Sequence, residues 1–279
     1  MKALRIWLCV LTAISILAFA GSLYYTLVYL DKEPPVFSVD EDALVVKSDA
    51  TDEELLKGVT ATDDRDGDLT DQITIAGVSR LGESNHGMVG YMVFDSADNY
   101  AAVSRDVYFS DYSAPRFVLM EQLSYGVNET VALKGRLLAK DAAEGNITPN
   151  IRISTLNLNN QYEGVYHISL WVVNKLGDTA SITLPIIIQN ETPSSPHIDL
   201  TDYLIYLPQG TVFLPERYFE AAYATSLNRF SMAFEDITVE GEVDPDTPGT
   251  YEVTYSYVNG NGEATRAILT VVVEPKGEA

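Results

Sequence analysis

One loop concentrates the carboxylates that could do chemistry in this sequence. Five aspartates follow one another at close spacing: Asp63, Asp64, Asp66, Asp68 and Asp71. Hard cations such as Ca²⁺ take oxygen ligands, and closely spaced aspartates on a loop can supply them. The spacing is not that of an EF-hand, because the glycine falls at a different position and no glutamate closes the loop. Two interpretations stay open: a Ca²⁺ site, or aspartates that cap backbone N–H groups in tight turns without any cofactor.

The histidines do not form a catalytic pattern. His86, His167 and His197 fall in separate segments, and the sequence has no His-x-x-x-His spacing, Ser-His-Asp order or Gly-rich phosphate loop. A single histidine beside a strand is more often a surface residue than a catalyst. The sequence therefore predicts that this protein is not an enzyme.

Charge and cysteine usage limit the partners and the setting. The formal net charge is −22, and Lys2 and Arg5 are the only charged residues before Asp31, so 16 basic and 40 acidic residues follow them. Such a surface repels nucleic acid and anionic headgroups, which excludes both as partners. Cys9 is the single cysteine, so no disulfide can form within the chain. An extracytoplasmic protein of this kind is typical of a bacterial surface.

The N-terminus contains a long apolar run. Residues 6–30 carry no charge, which is long enough for a transmembrane helix through which the protein would bind the membrane. Basic residues precede the run and Asp31 follows it, so we expect residues 1–5 in the cytoplasm and the C-terminus outside a bacterial cell membrane. A cleaved signal peptide, ending after Ala20, is the alternative.

The rest of the chain repeats itself. Pro35, Pro115 and Pro196 begin similar segments at spacings of 80 and 81 residues, and each follows a short polar connector. Short strands separated by turns in units of this size are typical of β-sandwiches with Greek-key links. We therefore predict three domains, at 34–110, 111–191 and 192–275.

A strand late in each unit alternates strictly. Residues 249–259 show the pattern most clearly, and 164–174 and 85–95 align with them. Because side chains on a strand alternate between faces, one half of each set must point outward. In the first two units this outward set is apolar or aromatic, and exposed apolar patches often mark interfaces. The predicted interaction face comprises Met88, Met92, Phe94, His167, Trp171 and Val173.

These landmarks carry a family resemblance. The segment GVTATDDRDGDLTDQITI and the later DSADN resemble the bacterial Ig-like domains typified by a module of a pesticidal crystal protein. The third unit has the strand motif GTYEVTYSY without the acidic motif, and the second has degraded versions of each. The resemblance implies an all-β chain of three tandem Ig-like Greek-key β-sandwiches behind one transmembrane α-helix.

The resemblance implies a structural or adhesive role, because such domains usually serve as spacers or adhesive modules. We expect a membrane-anchored extracytoplasmic array whose partner is a protein or a cell-surface glycan. Two alternatives are an accessory subunit of a cell-envelope or secretion assembly, which would use the apolar strand faces, and a cell-wall glycan binder, which would rely on Trp171 and the tyrosines.

Overall fold

A computed structural model of the chain describes residues 2–28, 31–81, 85–190, 192, 194–225 and 232–276. The chain forms two compact units. The first comprises residues 1–46 and 50–110, and the second comprises 47–49 and 111–279. Apart from one long N-terminal helix and one short helix, the described residues form β-sheets.

The N-terminal apolar run is a helix, α1 (Lys2–Val28). Its segment Arg5–Tyr25 is long and apolar enough to cross a bilayer, and all of these residues are exposed. A signal sequence at an N-terminus would meet the same criteria. The end of the predicted transmembrane segment, residues 29–30, lies outside the described residues.

The first unit contains a β-sandwich after α1, which we call the first sandwich. Its elements are β1 (Val36–Val39), β2 (Leu44–Val46), α2 (Asp52–Leu55), β3 (Val59–Asp63), β4 (Gly67–Asp68), a 3₁₀ turn (Thr70–Gln72), β5 (Thr74–Arg80), β6 (His86–Phe94) and β7 (Tyr100–Phe109). One sheet has the order β1-β3-β4 and the other β2-β7-β6-β5. Thr51 begins α2 with a capping box, in which it and Glu54 each accept the other's backbone N–H.

The second unit contains two further pairs of sheets, the second and third sandwiches. The second consists of β8 (Arg116–Leu119), β9 (Ser124–Tyr125), β10 (Leu137–Asp141), β11 (Gly145–Asn146), a 3₁₀ turn (Thr148–Asn150), β12 (Arg152–Asn157), β13 (Gly164–Val173) and β14 (Thr179–Ile188). The third consists of β15 (His197–Leu200), β16 (Leu204–Pro208), a 3₁₀ turn (Pro215–Tyr218), β17 (Phe219–Tyr223), a 3₁₀ turn (Phe234–Asp236), β18 (Thr238–Glu240), β19 (Gly249–Val258) and β20 (Ala264–Glu274).

The three sandwiches share one strand order. The second pairs sheets β8-β10-β11 and β9-β14-β13-β12, and the third pairs β15-β17 and β16-β20-β19-β18. Within the described part of the third sandwich, no strand corresponds to β4 or β11, which agrees with its missing acidic motif. The Ig-like all-β fold is thus confirmed, whereas the number of independent domains and the predicted boundaries stay predictions.

The alternating strands build the cores, as their pattern predicts. In β6, Val89, Tyr91 and Val93 are fully buried, while Met88 and Phe94 are exposed. The equivalent β13 buries residues 168, 170 and 172, and β19 buries 253 and 255. Burying such apolar side chains is the main favourable term in the folding of each sandwich.

Buried tyrosines attach the central strands to the segments beside them. The hydroxyl of Tyr91 donates to the backbone oxygen of Leu55 at 2.7 Å, and that of Tyr255 donates to Pro215 at 2.8 Å. A buried hydroxyl needs such a partner, because leaving it unpaired is costly. The two tyrosines occupy equivalent positions in the first and third sandwiches.

Candidate functional site

The acidic loop is first of all a structural element. Gly67 adopts a positive φ of 77°, which glycine tolerates, and closes the tight turn between β3 and β4. Asp68 Oδ1 accepts the backbone N–H of Thr70 at 2.9 Å, and Thr70 Oγ1 accepts that of Ala61 at 3.3 Å. Hydrogen bonds from the side chain and backbone of Thr70 hold the pKa of Asp68 below its ordinary value.

The second sandwich repeats this arrangement residue for residue. Gly145 has a φ of 72°, and Asn146 Oδ1 accepts the N–H of Thr148 at 3.0 Å. Thr148 Oγ1 in turn accepts the N–H of Ala139 at 3.0 Å. Since asparagine performs the same capping as aspartate here, this part of the motif does not require charge.

Asp63, at the end of β3, behaves differently from its neighbours in the loop. Its side chain is only 8% exposed. Oδ1 accepts the backbone N–H groups of Arg65 and Asp66 at 2.8 and 3.0 Å. Oδ2 is buried and has no hydrogen-bond partner. Buried polar atoms are nearly always paired, so this oxygen requires an explanation.

A second loop, between β6 and β7, supplies another buried carboxylate. Asp95 is 6% exposed, and its Oδ1 accepts the N–H groups of Ala97 and Asn99, each at 2.8 Å. Its Oδ2 accepts the Asn99 side-chain amide at 2.7 Å. Burial alone would raise the pKa of Asp95, but the hydrogen bonds from Asn99 and Ala97 outweigh it and lower the pKa below 3.8. Asp95 is therefore ionised at neutral pH.

Asp66 holds these two loops together. Its carboxylate accepts the backbone N–H of Ser96 at 2.7 Å and the Ser96 hydroxyl at 2.9 Å. In the second sandwich Glu144 does the same for the backbone N–H of Lys175. The acidic residue at this position therefore fixes the distance between the two loops.

Three carboxylates meet where these loops approach the segment after α1. Asp31, Asp63 and Asp95 each offer one oxygen, and these oxygens lie within 4.8 Å of one another. We call these three residues the acidic cluster. The side chain of Asp31 is 8% exposed, and its Oδ2 lies 3.5 Å from Nε of Arg65.

The acidic cluster overlaps the predicted metal site in one residue. Of the five aspartates predicted, the structure places Asp63 in the cluster and Asp66 beside it, bonded to Ser96. Asp64, Asp68 and Asp71 are exposed. Asp31 and Asp95 were not among the predicted ligands, although Asp95 begins a hairpin that recurs in each unit. Ca²⁺ binding by the five predicted aspartates stays a prediction.

The outer face of the β5–β7 sheet presents several exposed apolar and aromatic side chains. Met88, Phe94, Tyr100 and Tyr108 are between 38% and 61% exposed. Phe94 lies opposite Tyr100 in the strand register, with ring centroids 5.9 Å apart. Met92, on the same face, is half-buried. We call this surface the β6–β7 face.

The corresponding strand of the second sandwich is partly covered by the third. Trp171 is 39% exposed and Val173 is half-buried. His167 Nε2, however, lies 3.0 Å from Oε1 of Glu252 on β19. The predicted outward orientation of these side chains agrees with their exposure, whereas their role in an interface stays a prediction.

The histidines lie on different sheets. His86 contacts Asp106 at 3.0 Å across β6 and β7, and its ring stacks on Tyr108. His197 contacts Asp199 on its own strand at 2.9 Å. The absence of catalytic function stays a prediction.

Comparison with known protein families gives a match for the C-terminal part of the chain. A family model described as a bacterial surface protein, Ig-like domain, matches residues 202–273. Residues 202–273 are thus similar to a bacterial surface Ig-like domain. The resemblance found in the sequence is thereby confirmed, and this Ig-like domain together with α1 fits a membrane-anchored surface protein.

Several solved structures are distantly similar to this chain. Among them is the M60 catalytic domain with the CBM51-1 and CBM51-2 domains from Clostridium perfringens ZmpB, at 11% identity and a TM-score of 0.25. The likeness covers 87% of this chain and 31% of that one, so the chain spans about a third of its length. Drosophila N-cadherin EC1-3 has 12% identity and a TM-score of 0.27, over 88% of this chain and 90% of that one. No curated protein matches the sequence.

Proposed function

We propose that this protein is a membrane-anchored extracytoplasmic array of Ig-like domains with a structural or adhesive role, and that it is not an enzyme. The proposed array comprises three domains, and α1 anchors it with the N-terminus in the cytoplasm. Support for this orientation comes from Lys2 and Arg5 before the apolar run and Asp31 after it.

The single observation that supports an adhesive role is the β6–β7 face. Aromatic and methionine side chains are enriched in the buried centres of protein interfaces, and this face presents both kinds. Phe94 and Tyr100 contact each other and are 48% and 61% exposed. We therefore propose that the partner is a protein and that its apolar side chains cover these rings.

Photo-crosslinking in intact cells tests this proposal. A photoreactive amino acid at position 94 should form a protein adduct, whereas the same group at position 258 should not. Val258 is the matched control because it is 60% exposed on the equivalent strand of the third sandwich, whose outer face is mostly polar. Adducts at both positions, adducts to glycan alone, or none at 94 would each overturn the proposal.

An accessory subunit of a cell-envelope assembly is the second candidate. It is favoured by the distribution of exposed apolar side chains, which include Met88 and Phe94 on β6 and Trp171 on β13, whereas the described β19 exposes Val258 alone among its large apolar residues. An accessory subunit should co-purify with a membrane protein after detergent extraction. An adhesive array should instead bind intact cells when the full chain is presented in lipid vesicles.

A further inference from the structure

The acidic cluster brings three carboxylates close together in the first unit. Arg65 is a neighbouring cation: its Nε lies 3.5 Å from Asp31 Oδ2, and its side chain is 45% exposed. Like charges at this separation repel strongly in a poorly solvated site.

The unpaired Oδ2 of Asp63 indicates independently that the cluster needs a further partner. This oxygen is buried within the first unit without a hydrogen-bond partner. Burying an anionic oxygen is unfavourable unless the oxygen is paired or coordinates a metal. The remaining partner must be a donor or a cation that approaches from the cluster.

The second sandwich shows what faces this oxygen when no ion is needed. Asp141 is the equivalent of Asp63, and its Oδ2 accepts a hydrogen bond of 2.9 Å from Nδ2 of Asn174. Asn174 begins the hairpin of the second sandwich that is equivalent to the one Asp95 begins in the first. Its Oδ1 accepts the backbone N–H groups two and four residues further on, as Asp95 Oδ1 does. In the first sandwich, an acceptor-only carboxylate therefore occupies the position of the amide donor.

We propose that Asp31, Asp63 and Asp95 bind a hard divalent cation, and that Ca²⁺ is the ion that fits. Ca²⁺ takes oxygen ligands at about 2.3–2.6 Å, so two oxygens on one ion lie no more than about 5.2 Å apart. The three oxygens of the cluster meet this condition, because they lie within 4.8 Å of one another. Three carboxylates provide the charge that such an ion requires.

The cation has a structural consequence, because its ligands come from three separate segments. Asp31 lies after α1, Asp63 ends β3 and Asp95 directly follows β6. The ion thus ties the segment that follows the apolar helix to two loops of the first sandwich. A weak hydrogen bond of 3.5 Å, from Asn99 Nδ2 to the Glu33 backbone oxygen, joins the same segments.

Calorimetric titration of the full chain in lipid nanodiscs with CaCl₂ tests the proposal. In buffered NaCl, the protein should bind one Ca²⁺ per chain. The Asp95→Asn variant should lose this binding and still fold, because its amide can donate to Asp63 Oδ2 as Asn174 does to Asp141. The matched control is Asp64→Asn, which removes one exposed charge from the same loop and should bind Ca²⁺ like the wild type.

A second measurement follows the segment after α1. Ca²⁺ should slow proteolysis between residues 31 and 35 in the wild type and in Asp64→Asn, but not in Asp31→Asn or Asp95→Asn. No binding heat in the wild type, or unchanged binding in Asp95→Asn, would overturn the proposal.

Discussion

The hydroxyl of Tyr206 in the third sandwich makes two hydrogen bonds to Phe117 in the second. It accepts the Phe117 backbone N–H at 3.0 Å and donates to the Phe117 carbonyl at 3.2 Å. The guanidinium of Arg116 lies over the Tyr206 ring at 5.1 Å and pairs with Glu274 at 2.6 Å. These contacts, together with the half-buried Tyr206 ring, pack the second and third sandwiches of the second unit on each other.

Replacing Tyr206 with Phe should therefore destabilise the second unit. The change removes the hydroxyl that pairs with both the N–H and the carbonyl of Phe117. Leaving such backbone groups unpaired lowers the unfolding free energy by about 1–3 kcal/mol. Urea denaturation should show this decrease in unfolding free energy. The control is Tyr166→Phe, whose hydroxyl donates to the exposed Tyr162 carbonyl and whose loss should cost less than about 0.5 kcal/mol. Equal effects of the two variants would contradict the prediction.

Alkaline pH should destabilise the third sandwich through Tyr255. Burial, with a smaller effect of Tyr218, raises the pKa of Tyr255 well above its ordinary value of 10.0. Because the folded-state pKa is higher than the unfolded-state one, this contribution to stability is complete below pH 10 and falls as the pH rises above it. Denaturant midpoints of the wild type should decrease between about pH 9 and pH 11. In Tyr255→Phe, which lacks the titrating hydroxyl, the decrease should be smaller.

Acid should destabilise the turn between β19 and β20. Hydrogen bonds from the side chains of Asn259, Ser194 and Thr192 lower the pKa of Glu263 below 4.5. A depressed folded-state pKa stabilises the protein above the unfolded-state value, and the contribution is lost as the pH falls through the folded-state pKa. Glu263→Gln should make the thermal midpoint less dependent on pH in the acid range. Glu235→Gln, at an exposed site, should leave that dependence unchanged.

Substitutions on the apolar strand faces should separate binding from folding. Phe94→Ser and Trp171→Ser should abolish assembly with a partner and change stability by less than about 1 kcal/mol, since both side chains are substantially exposed. Co-purification from membranes and circular dichroism measure the two effects. Val258→Ser serves as the control on the third sandwich. Unfolding of either variant would show that the residue belongs to a core.

Local patterns predicted the parts of the fold that repeat. Alternation in β6, β13 and β19 correctly assigned which side chains face the cores, such as Val89 and Tyr91. The uncharged N-terminal run predicted α1, and the missing acidic motif agrees with the smaller sheet of the third sandwich. Each of these features depends on residues close together in the sequence.

The acidic cluster could not be predicted in the same way. Asp31, Asp63 and Asp95 come from segments about 32 residues apart in the sequence, and only the pairing of β3 and β6 with their neighbours brings them together. The contact between His167 and Glu252 is likewise long-range. Very short strands such as β2 and β9 also lack a detectable period.

One parallel strand pair in each sandwich determines how the protein would respond to force. In each sandwich an early strand lies parallel to the last one: β2 with β7, β9 with β14, and β16 with β20. Opposed pulls on the two ends of a sandwich slide such strands along each other, so their hydrogen bonds are loaded together in shear rather than opened one by one. A chain held in a membrane at one end and by a partner elsewhere would carry tension through these ladders. The β16–β20 ladder pairs five residues, against three for β2–β7 and two for β9–β14, so it has the most hydrogen-bonded length to resist such shear.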